Sequence, residues 1–164
     1  MKKLRKRQIH ALFQHRCLAL TAEDKEWLGM TPVGREFGSK DYDRLVQLDA
    51  LVEAAKAASD PKSLGVRVFL DDERAAPEGW VRVCWPDEAI DLLDSGCVQE
   101  ISLDHDLGDD DRGTGYDVIL WIEEAVAMRS FSPPSITAHS ANSSARVKMM
   151  AGIQAIEALV RKLQ

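Results

Sequence analysis

The chain has 164 residues, of which 45% are hydrophobic and 29% charged, with a formal net charge of −6. That is enough apolar content for one cored domain of ordinary size and an appendage. The acidic balance argues against broad groove binding of duplex nucleic acid, which needs clustered Lys and Arg to displace counterions.

The first predicted element is a helix, because Leu4, Ile9, Leu12, Phe13, Cys17 and Leu20 fall mostly on one helical face. The basic start Met1–Arg7 leads into no apolar run of signal-peptide length, and no stretch approaches membrane-spanning length, so a cytoplasmic protein without membrane contact is expected. Thr21 and Asp24 form a capping pattern, and a Gly/Pro-broken loop covers residues 30–38. Asp41 is placed to cap a second helix in which Leu45, Leu48, Val52 and Ala55 recur. This stripe is expected to pack on its own domain, with self-association or a protein partner through residues 1–65 as the minority reading.

Residues 59–65 have linker composition, which places a boundary between a helical N-terminal extension, 1–65, and a second domain, 66–164. The extension carries 12 Lys+Arg against 9 Asp+Glu, and the second domain 9 against 18. A basic head on an acidic body suits an anionic partner or docking of the head on the body. Cys17, Cys84 and Cys97 have no metal-ligand spacing, and their number implies no disulfide framework.

From Val66 strands and helices alternate: strand 66–70, strand 81–85, helix 86–93, strand 98–103, helix 114–128, strand 135–138 and helix 142–163. The pattern predicts an α/β fold, a three-layer arrangement with a parallel sheet covered on both faces. Pro86 suits a first helical position with Asp87 and Glu88 in the first turn, and Thr114 with Asp117 caps the next helix.

Three apolar runs end in chemistry. Val66–Leu70 ends at Asp71 and Asp72, the run 100–103 at Asp104, His105 and Asp106, and Ile136–Ala138 at His139 and Ser140. Open parallel sheets bind ligands beyond the carboxyl ends of their strands. Converging carboxylates there need a metal ion, a shared proton or a basic neighbour, and a divalent metal is the simplest. Asp71, Asp72 and Asp104 are therefore candidate ligands for Mg²⁺ or Mn²⁺. Asp104 can also act as a nucleophile, and Asp106 as a general acid. His105 and His139 are the acid and base that opening a cyclic phosphate requires near neutral pH. Ser140 and Arg74 are candidate phosphate contacts, with Lys148 a weaker one. Asp109, Asp110 and Asp111 read as solvated loop charge, Gly113–Gly115 as a flexible turn into a helix, and His10 and His15 as surface or packing residues. Trp80, in a Pro/Gly loop, can face a ligand.

Phe69–Arg74, Pro77–Trp80, Ile101–Gly108, Gly113–Asp117 and His139–Asn142 together resemble the cyclic-phosphate-processing receiver-like domain, over about residues 66–160. The resemblance implies a reduced receiver (flavodoxin-like) fold. It also implies a role in processing cyclic phosphates, such as RNA 2′,3′-cyclic ends, in bacterial or phage RNA repair and conflict. By position it points to Asp71, Asp72, Asp104, His105, Asp106, His139 and Ser140. The leading expectation is a metal-assisted phosphoesterase acting on an RNA end or cyclic nucleotide. The alternatives are a binding module without turnover and a phosphotransferase with Asp104 as nucleophile. Phosphorelay signalling is disfavoured, because no fifth strand with an acyl-phosphate-sensing lysine follows Ser140.

Overall fold

The computed structural model describes Ser39 and residues 41–163. The expected helix over residues 4–20, the cap at Thr21, and His10, His15 and Cys17 lie outside them. The chain divides into two compact units, Met1–Tyr42 and Asp43–Gln164. All of α1 (Tyr42–Ala57) after its first residue falls in the second. The division thus precedes the linker-like segment near residue 65, for a packing reason. Leu45, Leu48 and Ala55 of α1 are buried in the core, and Leu51 and Val52 pack against it. Arg44 adds a bidentate pair to the buried Glu88 carboxylate at 2.7 and 3.2 Å. The apolar stripe of α1 is consumed inside its own unit.

The remaining elements are β1 (Val66–Leu70), β2 (Val81–Val83), α2 (Pro86–Asp94), β3 (Val98–Leu103), α3 (Gly115–Arg129), β4 (Ser135–Ala138) and α4 (Ser143–Leu163), with short 3-10 turns at Pro61–Leu64 and Asp110–Arg112. Strand β2 stops before the expected Trp85. The Cys84 N–H turns to the Glu88 carboxylate at 2.9 Å instead of a neighbouring strand, and Trp85 becomes the residue that opens α2. Pro86 at the first turn and the Thr114–Asp117 cap are as the sequence predicts, with the Thr114 N–H donating to Asp117 Oδ2 at 2.7 Å.

The four strands form one all-parallel sheet in the order β2-β1-β3-β4, a receiver-like flavodoxin topology. Its register decides the two faces. Val68, Ile101 and Ile136 stand on one rung, and Leu70, Leu103 and Ala138 on another. These apolar rungs face the core with Val83 and the helices. The crossovers from β2 to β3 and from β3 to β4 run in the same direction along the sheet, so right-handed connection places α2 and α3 on the same face.

The alternate residues make the other face: Arg67 with Glu100 and Ser135, then Phe69 with Arg82, Ser102 and Thr137. Side chains on a strand alternate between faces, and on this face the strand positions are polar apart from Phe69. Glu100, Ser135 and Thr137 are exposed. Among the described residues no helix is long and apolar enough to cross a membrane.

Candidate functional site

The sheet positions the site by continuing its ladder one residue beyond each strand. The Asp71 N–H donates to Val83 O at 3.0 Å, the Asp104 N–H to Leu70 O at 2.9 Å, and the His139 N–H to Leu103 O at 3.0 Å. Asp71, Asp104 and His139 are therefore the next rung after Leu70, Leu103 and Ala138, and by alternation they point to the polar face. One ligand atom from each comes within 4.8 Å of the others. Asp71 and Asp104 are buried.

Two buried carboxylates side by side require a compensating cation, and Arg74 supplies one. Its Nη1 donates to Asp71 Oδ2 at 3.3 Å and to Asp104 Oδ2 at 3.2 Å, and it reaches the His139 carbonyl at 3.5 Å. The Arg74 side chain remains 48% exposed, so the guanidinium joins the buried carboxylates to solvent. Sequence reasoning favoured a metal for this compensation. The structure places a basic neighbour there as well.

Asp71 is the most heavily bonded member. Its Oδ1 accepts from the N–H groups of Glu73 at 2.9 Å and Arg74 at 2.6 Å, and its Oδ2 faces His139 Nε2 at 3.3 Å. Burial by itself raises the carboxyl pKa. The two backbone donors, His139 and the Arg74 charge outweigh it and hold the group below its ordinary 3.8. A depressed carboxyl pKa contributes stability above the unfolded value, and that stability is lost as pH falls through the folded one. Wild type should therefore lose stability progressively below about pH 4. Asp71→Asn, less stable at neutral pH, should show a flatter acid limb in urea unfolding followed against pH. Parallel curves would mean that folding leaves the Asp71 pKa unchanged.

His139 is fixed on three sides. Its Nδ1 meets Ser102 Oγ at 2.7 Å, its Nε2 faces Asp71, and its ring stacks on Phe69 with centroids 4.3 Å apart and planes at 10°. Hydroxyl on one nitrogen and carboxylate on the other set the tautomer and aim the imidazole. Arg82 holds the β1 loop from below, donating to the carbonyls of Asp71 at 2.9 Å and Asp72.

The other expected site residues make contacts of their own. Asp72 is not among the three converging ligands, and its Oδ2 lies only 2.8 Å from where a Cβ on Gly108 would be. Gly108, at φ +72°, makes the turn that brings the two loops this close. Asp106 is exposed, while its neighbour Leu107 is 1% exposed and anchors the loop in the core. His105 contributes through its backbone: its N–H donates to Asp104 Oδ1 at 2.7 Å and its carbonyl accepts from Gly115. Its ring Nδ1 is buried without a partner. Ser140 Oγ accepts the Asn142 N–H at 3.2 Å, and Asn142 Oδ1 accepts from Ala145 in the first turn of α4. Lys148 lies over the Tyr116 ring, 3.9 Å from its centroid.

Gly115 differs in kind from the flexible turn expected of it. A Cβ there would lie 1.8 Å from the Asp104 carbonyl oxygen, so the glycine permits α3 to start against the site backbone. Phe69 and Ser102 escaped sequence reasoning as site residues. The available signal was Ser102 itself, a hydroxyl inside an apolar strand two positions before Asp104 and hence on the same face.

Residues 66–155 match the family model of the cyclic-phosphate processing receiver domain. No curated protein and no solved structure matches the chain.

Proposed function

Because the chain belongs to the cyclic-phosphate-processing receiver family, we propose that it is a phosphoesterase that opens a cyclic phosphate such as the 2′,3′-cyclic end of an RNA, in bacterial or phage RNA repair or conflict. The observation that carries the reading is the single rung of Asp71, Asp104 and His139, bridged by a half-exposed arginine. Arg74 has the charge and donors to receive a phosphate monoanion. Water attacks phosphorus and gives up its proton to solvent as the ring P–O bond breaks, and His139, its ring fixed against ionised Asp71, gives a proton to the departing oxygen, so that one water is consumed and a monoester results. Ser102 and Phe69 keep that imidazole from rotating.

The donor set also fits a divalent metal. Asp71 and Asp104 would hold Mg²⁺ or Mn²⁺, since hard cations prefer carboxylate oxygen and keep several waters. Such an ion polarises a phosphate and lowers the pKa of bound water. His139 stands beside these two carboxylates as the proton carrier and is not among the groups that would hold the ion.

The test is an RNA with a defined 2′,3′-cyclic phosphate, incubated with Mg²⁺, Mn²⁺ or EDTA and its ends resolved by mass. Ring opening to a monoester is expected, suppressed by EDTA. Asp104→Asn should weaken metal binding in calorimetry at least tenfold and abolish detectable opening. An unchanged end with folded wild type would transfer the reading to binding without turnover.

A further inference from the structure

A cavity of about 220 Å³ opens on the polar face of the sheet beside the site. Phe69, Pro77 and Trp80 supply its apolar walls, and Glu100, Ser102 and Thr137 its polar lining. Phe69 and Ser102 also touch the His139 ring, so cavity and site share a wall. Trp80 meets Phe69 edge-on at 6.5 Å, with the Arg67 guanidinium 5.6 Å from its ring centroid.

We propose that this cavity is a nucleobase subsite, taking the base of the nucleotide whose cyclic phosphate lies at Asp71, Asp104 and His139. The proposal rests on the phosphoesterase reading and names the part of the substrate that the phosphate site leaves unbound. Size favours one planar ring system over a whole nucleotide, since pockets that enclose drug-sized ligands run to roughly 300–1,000 Å³. Chemistry favours a base: unpaired bases are held by stacking on aromatic rings and by hydrogen bonds to their edges. Trp80 supplies the ring, with Phe69, whose face is taken by His139, as the floor beneath it, and the Glu100 carboxylate accepts from an exocyclic amine such as that of cytosine. The Pro77–Trp80 loop thereby acquires a function, as the part of the β1–β2 connection that closes one side of the cavity.

The experiment compares cytidine 2′,3′-cyclic phosphate with glycerol 1,2-cyclic phosphate, which lacks a base, using the full chain. The KM of wild type should be at least about tenfold lower for the cytidine compound, the gain expected from one base–aromatic stack. Trp80→Ala should collapse that ratio toward one, Trp80→Phe should keep most of it, and Thr137→Val should reduce it a few-fold. Equal KM values in wild type, or a ratio untouched in Trp80→Ala, would overturn the subsite while leaving the phosphoesterase intact. If neither compound is opened, the phosphoesterase reading fails and binding decides alone. Cytidine 3′-monophosphate titrated calorimetrically should then bind wild type at least about tenfold more tightly than Trp80→Ala. Equal or absent binding to both proteins would overturn the proposal.

Discussion

His139→Ala should reduce kcat for ring opening by about 10²- to 10⁴-fold, with KM for the cyclic phosphate changed far less. The asymmetry follows from the division of labour at the site. On the proposed mechanism Arg74 would present the exposed charge that receives the phosphate, whereas the imidazole would act when the ring oxygen departs. His105→Ala should lose less than about tenfold, because the His105 ring is outside the converging group and its backbone contacts survive the substitution. Single-turnover assays on the two variants, with folding verified by unfolding midpoint, separate the roles. Near-full activity in His139→Ala would sink the mechanism, and an equal loss in both variants would restore the two-histidine shuttle expected from sequence.

Gly115→Ala should be the most damaging one-methyl change in the second unit. The added Cβ would sit 1.8 Å from a backbone oxygen, and a backbone atom cannot swing aside as a side chain can. Overpacking of this kind costs about 1–3 kcal/mol, and more where the obstacle is rigid. With about 3 kcal/mol lost, Tm should fall by roughly 10 °C for a domain of this size. The obstructing carbonyl belongs to Asp104, so the folded fraction should also lose activity. Gly152→Ala is the natural comparison. Its Cβ would meet Ile119 Cγ2 at 2.7 Å, a branch methyl of a fully buried side chain, and it should cost about 1–3 kcal/mol, less than a clash with backbone at 1.8 Å. Equal Tm values for the two variants would show that the start of α3 tolerates displacement from the β3 loop.

The strands and their chemistry were legible because burial writes itself into sequence. Val66–Leu70 is apolar enough to be a core strand, Val98–Leu103 buries Val98, Ile101 and Leu103, and reactive groups follow where both end. Asp71, Asp104 and His139 were all placed at those ends. Which acids converge was not legible. Asp71 and Asp72 look equivalent in one dimension, yet adjacent residues on a strand face opposite ways, and only Asp71 falls on the rung of Asp104 and His139. Asp106 is two residues from Asp104, but the chain has left the ladder by then and Leu107 turns inward instead. The Arg44–Glu88 pair was equally hidden, because Glu88 reads as a first-turn acid and its partner lies on another helix.

By itself, then, the sequence determined the alternation of strand and helix, the location of reactive groups at three strand ends and the family to which those motifs belong. Tertiary structure alone decided the register, and with it the membership of the site. It set His139 against Asp71, brought Arg74 between two carboxylates and left Phe69, Ser102 and Thr137 lining a cavity beside them. The physical reason is that local patterns report how each residue meets solvent or core, whereas a site depends on the pairing of distant strands. That pairing is set by which apolar residues share the buried face and by the turns between strands, a pattern spread along the whole chain and legible at no single residue.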